Sequence, residues 1–367
     1  MLKKIFKLKN CICYMLVTCM IFTMGTKASA EGNTFTSNDT GFAYKANRQG
    51  APQKLEKAGD GTVRYYEWLS SGGNLNNLRL SINTFNGASG AKSRSVKSKN
   101  FKKINEPLYD FVYQDKKGNV YGIHNTKKES RLFHKKEKSM NEYMFIYDKN
   151  GNVKSKLKIT KHNYSQNVTM HDIMIKGNKI YVAFEKGNYK KGKYSLYINV
   201  YNKKTGKQLS QKTHILKAHN RYNKVKYSDS GLYILLGDRI ERYSIDGKKL
   251  KGTYMLPNNN KKTAKVNGSM QKWDNNNYNP DVSTYNKEEF SISGNNIYYC
   301  NADGLYSTHI NAGSAFSLLF DAVNDAYFAG EYSFFDMVYT DADTFYILMT
   351  NYAEGEEPTH IIRYSRS

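Results

Sequence analysis

Apolar and polar residues alternate in short runs along most of this chain, and each run ends in a Gly, Asn or Asp turn. "TVRYYEWL" (62–69) and "NLRLSINTF" (77–85) open the series. A recurrent unit then follows. One half is a strand introduced by a turn: "DKKGNVYGIH" (115–124), "KGNKIYVAF" (176–184), "SDSGLYILL" (228–236), "SGNNIYYCN" (293–301) and "DADTFYILM" (341–349). The other half is a strand running into a second turn: "YMFIYDKNGNVKSKLKI" (143–159), "YINVYNKKTGKQLSQKTHI" (197–215) and "RIERYSIDGKKLKGTYML" (239–256). Tyr, Ile, Val, Phe and Thr dominate these runs, as half-buried pleated surfaces favour. The turns "KNG", "KTG" and "IDG" supply residues that tolerate positive φ in a hairpin.

An aromatic residue recurs in the first half of the unit, at Tyr121, Tyr181, Tyr233, Tyr298 and Tyr346, in steps of 60, 52, 65 and 48 residues. Four strands per unit, at a period near that expected for a propeller blade, predict an all-β chain, a β-propeller of six or seven four-stranded blades. The alternative is a β-sandwich followed by a smaller β-domain. With five prolines and almost no apolar stripe of period 3.6, helix is nearly absent. The chain ends on a strand, "THIIRYSRS", so ring closure is expected through the strand near Val63 to Trp68 joining the last blade.

The pattern "GNKIYVAF…INVYNKKTGKQL" resembles the repeats of bacterial extracytoplasmic β-propellers of the YVTN and quinoprotein-like kind, over about residues 105–367. This resemblance implies an exported propeller. The Trp that usually follows Thr-Gly in the quinoprotein repeat is missing here, so no quinone is implied and no cofactor is expected.

The ends divide the chain further. Residues 1–30 read as a signal peptide, with the basic "MLKKIFKLK", the apolar "CICYMLVTCMIF" and the small-x-small site "KASA". Its apolar run is too short to span a bilayer, which takes about 20 residues, and no membrane span is expected after cleavage at Ala30. Residues 31–60 are polar and aperiodic and are expected to be a flexible leader, with the propeller at 61–367. Within it, 86–103 reads as a basic loop and 257–287 as an Asn-rich insertion. Three of four cysteines fall in the signal, leaving Cys300 alone, which excludes an internal disulfide.

Charge is unevenly spread. Residues 31–280 hold 48 Lys and Arg against 19 Asp and Glu, a net +29, whereas 281–367 hold 3 against 13, a net −10. Such a field attracts polyanions, and outside a bacterium these are wall polymers and acidic polysaccharides, with nucleic acid less favoured. Lysine-rich composition also serves solubility alone. Binding candidates are Lys92, Arg94, Lys97, Lys99, Lys102 and Lys103 on the basic loop, and Trp273 and Tyr278, whose rings suit sugar stacking on a loop. No metal-binding or nucleophile motif is present. His214 with His219, Asp341 with Asp343, and Cys300 read as ordinary strand and turn residues. The sequence therefore points to a secreted, non-catalytic binding or scaffold protein that engages an anionic or sugar-rich polymer or a protein partner. A propeller-type glycoside hydrolase or lyase is the alternative.

Overall fold

A computed structural model describes residues 35–40, 52–58, 61–71, 74–97, 112–115, 117–124, 140–148, 152–163, 166–188, 193–216, 224–236, 238–257, 287–311, 315–330, 332–340, 343–351 and 359–366. These residues form six antiparallel four-stranded sheets, the blades of a β-propeller. Blade 1 is β2 (Pro52–Lys57), β3 (Thr62–Ser71), β4 (Asn74–Asn86) and β5 (Lys92–Lys97), and blade 2 is β6 (Val112–Gln114), β7 (Val120–His124), β8 (Met140–Tyr147) and β9 (Val153–His162). Blade 3 comprises β10 (Asn167–Lys176), β11 (Lys179–Asn188), β12 (Lys193–Asn202) and β13 (Gln208–Leu216). Blade 4 comprises β14 (Lys224–Ser228), β15 (Gly231–Leu236), β16 (Arg239–Tyr243) and β17 (Lys249–Met255). Blade 5 is β18 (Glu289–Ser293), β19 (Asn296–Asn301), β20 (Gly304–His309) and β21 (Ser317–Asp321); one short helix, α1 (Ala326–Ala329), precedes blade 6. That blade takes β22 (Tyr332–Tyr339), β23 (Thr344–Asn351) and β24 (Thr359–Arg366) from the C-terminal end, and β1 (Phe35–Asp39) from the N-terminal end.

Closure thus runs through β1, which pairs with β24 from Phe35 opposite Arg366 to Asp39 opposite Ile362. The segment from Val63 to Trp68 lies instead in β3, the second strand of blade 1. Two other expectations also change. Residues 31–60, expected as a flexible leader, contain β1 and β2, and these two strands belong to the propeller. Residues 92–97 within the predicted basic loop form β5, with Arg94 opposite Thr84 and Val96 opposite Ile82. An outer strand meets solvent along one edge, so it needs few large apolar residues, and its pattern reads as loop.

Period-two alternation builds the core. In blade 6, Ile347 and Met349 pack toward blade 5, with Cys300 and Leu305, while Tyr346 and Leu348 pack toward blade 1, with Leu55, Val63 and Phe85. Comparable clusters join blades 2 and 3, 3 and 4, and 4 and 5. The repeated tyrosine occupies the second strand of blades 2 to 6. The rings of Tyr121, Tyr233, Tyr298 and Tyr346 are buried in the clusters between blades, Tyr181 is half-buried, and the Tyr346 hydroxyl donates to the Asn86 carbonyl of blade 1, 2.9 Å away.

Two of the hairpin turns share one construction. At "NKKTG", the Asn202 side chain accepts from the amides of Lys204 and Thr205, and Gly206, at φ +70°, donates to the Asn202 carbonyl. At "NGASG", Asn86 accepts from Ala88 and Ser89, and Gly90 closes the turn in the same way. An Asn that substitutes for a backbone acceptor, with a left-handed Gly behind it, is the reason the motif recurs.

Phe35 is the buried anchor of β1, with its ring 5.5 Å from Phe320 and 5.4 Å from Phe345. Phe35→Ala is expected to lower stability by about 3 kcal/mol, the lower end for a buried Phe because the site borders an outer strand. Denaturant unfolding of the purified variant measures this; an unchanged midpoint would remove β1 from the closure.

Candidate functional site

The first strand of each blade lines the propeller axis. In β10, β22 and β2 a bulge interrupts the register, between Met170 and Asp172, Phe334 and Asp336, and Pro52 and Lys54. A bulge re-aims the residue that follows it. In each blade an inner-strand residue faces the repeated tyrosine, or Arg64 at the matching place in blade 1, and in every blade but the second, whose position lies outside the described residues, the residue two positions before it forms one tier. That tier holds Lys54, Asp172, Lys224, Glu289 and Asp336. Lys226 lies two residues further along β14.

These six side chains satisfy one another. Lys54 Nζ is 2.5 Å from Asp172 Oδ1, joining blade 1 to blade 3. Lys226 Nζ is 2.5 Å from Asp336 Oδ1 and 3.1 Å from Glu289 Oε1, joining blade 4 to blades 6 and 5. Lys224 also pairs with Glu289 and donates to the Phe334 carbonyl at 3.2 Å. Backbone amides supply the remaining contacts. Asp172 accepts from its own neighbour Ile173 (2.9 Å) and from Tyr227 of the next blade (2.8 Å). Asp336 repeats this with Met337 (2.9 Å) and with Leu55 of blade 1 (2.8 Å). Glu289 accepts from the amide of Phe290 at 3.0 Å.

The Glu289 side chain is fully buried and the three lysines are only 17–20% exposed. Burial would depress the lysine pKa values, but Asp172 for Lys54, and Asp336 and Glu289 for Lys226, outweigh it and hold both above the ordinary lysine range. Burial raises Glu56 above the usual carboxyl range, against the pull of Lys54, and Tyr66 donates its hydroxyl to it. Three lysines pair with three carboxylates across the axis, and Glu56, two residues beyond Lys54, adds a fourth buried carboxylate, so the group forms an ion-paired plug.

The predicted binding residues lie elsewhere. Lys92, Arg94 and Lys97 are on β5, the outer strand of blade 1, where Lys92 is exposed. Lys99, Lys102, Lys103, Trp273 and Tyr278 are outside the described residues, as are residues 1–30, His219 and Asp341. Cys300 is buried, and burial pushes its thiol above the ordinary value, which suits a core residue. Asp343 sits in the turn at φ +47°, accepting from the Tyr339 hydroxyl at 3.0 Å. Among the described residues no group of three or more His, Cys, Asp or Glu side chains is placed to hold a metal ion, and no helix is long and apolar enough to cross a membrane. Sequence reading missed the axial tier. Its signal is a charge inside an apolar run, as in "MHDIMI" and "SFFDMVY", placed two residues before the partner of the repeated tyrosine.

No protein-family model matches the chain, and no curated protein does. Solved structures do. The α-L-arabinanase of Penicillium chrysogenum, complexed with arabinobiose, superposes with a TM-score of 0.50 at 9% identity over 91% of this chain and 98% of that one. The β-propeller domain of the Trilobed protease from Pyrococcus furiosus matches with a TM-score of 0.39 at 11% identity, over 84% and 78%. An acylaminoacyl peptidase from Pyrococcus horikoshii matches with a TM-score of 0.39 at 8% identity, and the chain spans 43% of its length. At such identities the likeness concerns the fold alone.

Lys226 tests the plug. Lys226→Met leaves Asp336 without its lysine and Glu289 with Lys224 alone, and is expected to cost about 3 kcal/mol. A lysine whose folded pKa is raised contributes its full stability below the unfolded value, about 10.4, and loses it as pH climbs through the folded one. The gap between parent and variant should therefore hold constant from about pH 7 to 9 and narrow above about 10.5. Urea unfolding across that range measures it, and a gap that varies below pH 9 would contradict the assignment.

Proposed function

We propose that the protein is an exported propeller of the YVTN and quinoprotein-like kind that binds an anionic polymer at the cell surface without catalysis. The axis of the disc carries the proposal: each of its three tier carboxylates is held by a lysine and by backbone amides. A glycosidase sets one carboxyl as acid and a second as base or nucleophile on either side of a substrate. Carboxylates committed to ammonium groups and main-chain donors are instead structural. The large basic excess then falls to the rim and the loops, where a polymer meets it.

Three carboxylates at one axial tier favour a second reading, a glycan-acting enzyme. One experiment separates the two. The chain from residue 31 to 367 is titrated with acidic and neutral polysaccharides, wall polymers and DNA over a salt series, and incubated with the same glycans and with arabinan while reducing ends are counted. Binding to polyanions that weakens with salt, with no chain cleavage, is the expected outcome. Cleavage abolished by Asp336→Asn in a folded variant would overturn the binding role in favour of the enzyme. Absence of binding at low salt would overturn the polyanion.

A further inference from the structure

The outer strands of the six blades differ sharply in charge. β9, "VKSKLKITKH", carries Lys154, Lys156, Lys158 and Lys161 and no acid, and β5, "KSRSVK", carries Lys92, Arg94 and Lys97 and no acid. β13 has one lysine, Lys212, which pairs with Asp246 at 3.3 Å. β17 has Lys249, paired with Glu241 at 3.2 Å, and Lys251. β21 and β1 have neither lysine nor arginine, and end in Asp321 and Asp39.

We infer that the outer strand of blade 2, with Lys154, Lys156, Lys158 and Lys161, is a docking edge for a polyol-phosphate polymer, a linear chain of phosphodiesters without bases. This rests on the reading of the protein as a binder of anionic polymers, and gives that reading a place and a chemistry.

All four lysines are exposed. Lys156 and Lys158 lie opposite Phe145 and Tyr143 and project from one face of the strand, about 7 Å apart. Leu157 and Ile159 turn the other way and are buried against blade 3. The acids nearest in the chain are already engaged. Glu142 is buried against His162 at 2.9 Å, Asp148 accepts from Asn152, and Asp115 is held by Asn119 and by Lys203 at 3.4 Å. The strand therefore presents a row of cations with little local neutralisation.

Lysine on an outer strand also prevents edge-to-edge association. That need is equal on every blade, yet β21 and β1 meet it without a single cation, so edge protection does not account for four on β9. Lysine is the only such cation on the strand and meets a phosphodiester as a point charge on a flexible stem, without the arginine fork that pairs bidentately with carboxylate or phosphate. Single-stranded nucleic acid would in addition need open aromatic faces for its bases. Lys156 Nζ covers the Tyr143 ring at 4.9 Å, and Tyr147 is buried.

The test compares the parent chain with a K154Q/K156Q/K158Q/K161Q variant and with a K249Q/K251Q variant, each checked for an unchanged melting temperature. The probes are synthetic poly(glycerol phosphate) and duplex DNA at matched phosphate concentration, titrated from low to moderate salt. The expected result is tighter binding of poly(glycerol phosphate) than of DNA by the parent. The β9 variant should weaken it at least about tenfold and flatten the slope of log K against log salt by about 2 to 4, while the β17 variant should change it little. If the parent binds the polymer and the β9 variant binds it equally well with the same slope, the edge is wrong and the polyanion-binding role stands. Failure of the parent to bind any polyanion overturns both. DNA bound as tightly as the polymer and lost with the same variant would overturn the polyol-phosphate assignment.

Discussion

Everything in this fold depends on β1 lying against β24. Six sheets arranged around an axis have six joints, and five of them are made by the chain simply continuing. The sixth closes only when residues from the two ends share a blade. Blade 6 has three strands from the C-terminal end, and Phe35–Asp39 supplies the fourth. Pairing covers the open edge of β24 and places Phe35 among Phe320, Phe345 and Tyr364. A completed blade 6 then presents Val338, Tyr346 and Leu348 to blade 1 and Phe345, Ile347 and Met349 to blade 5. The ring becomes continuous because one strand alternates its side chains between two neighbours.

Closure also determines what meets on the axis. Buried ion pairs are a poor source of stability, since desolvation consumes most of their attraction, but breaking one is costly. Their value here lies in which blades they connect. Lys54 of blade 1 reaches Asp172 of blade 3, and Lys226 of blade 4 reaches Asp336 of blade 6, so each pair spans two blade positions. The aspartates then accept from the amides of Tyr227 and Leu55 on the following blades. Apolar side chains would fill the same space with less regard to order. A misordered ring would leave these carboxylates buried without cations, so the network selects one arrangement of blades.

Much of the fold was legible in the sequence because the responsible signal is local. A repeated tyrosine, a β-branched run and an Asn or Asp turn ending in Gly fall within a few residues of one another, and they locate the strands of blades 2 to 6. β1 was not legible, because "FTSND" buries only Phe35, and Thr36, Ser37 and Asn38 face water. β2 was hidden for a different reason. "PQKLEK" reads as solvated, yet Lys54 and Glu56 turn inward toward the axis, where ionic partners from other blades replace water. The axial tier is scattered from Lys54 to Asp336, and only the strand registers bring it together. Of the candidate binding residues, Lys92, Arg94 and Lys97 proved to be strand residues on a polar edge, a pattern that hydropathy alone cannot distinguish from a loop.

A closed ring converts order along the chain into angle around a disc. The basic excess of the chain's first part and the acidic excess of its last quarter therefore do not mix. They become separate sectors, with lysine-rich outer strands on blades 1 and 2, and outer strands without a basic residue on blades 5 and 6. The axial lysines and carboxylates are largely spent on one another and add little to this field. A polyanion near the disc is consequently drawn toward its side and not down its axis, over a range set by a Debye length of about 10 Å at moderate salt.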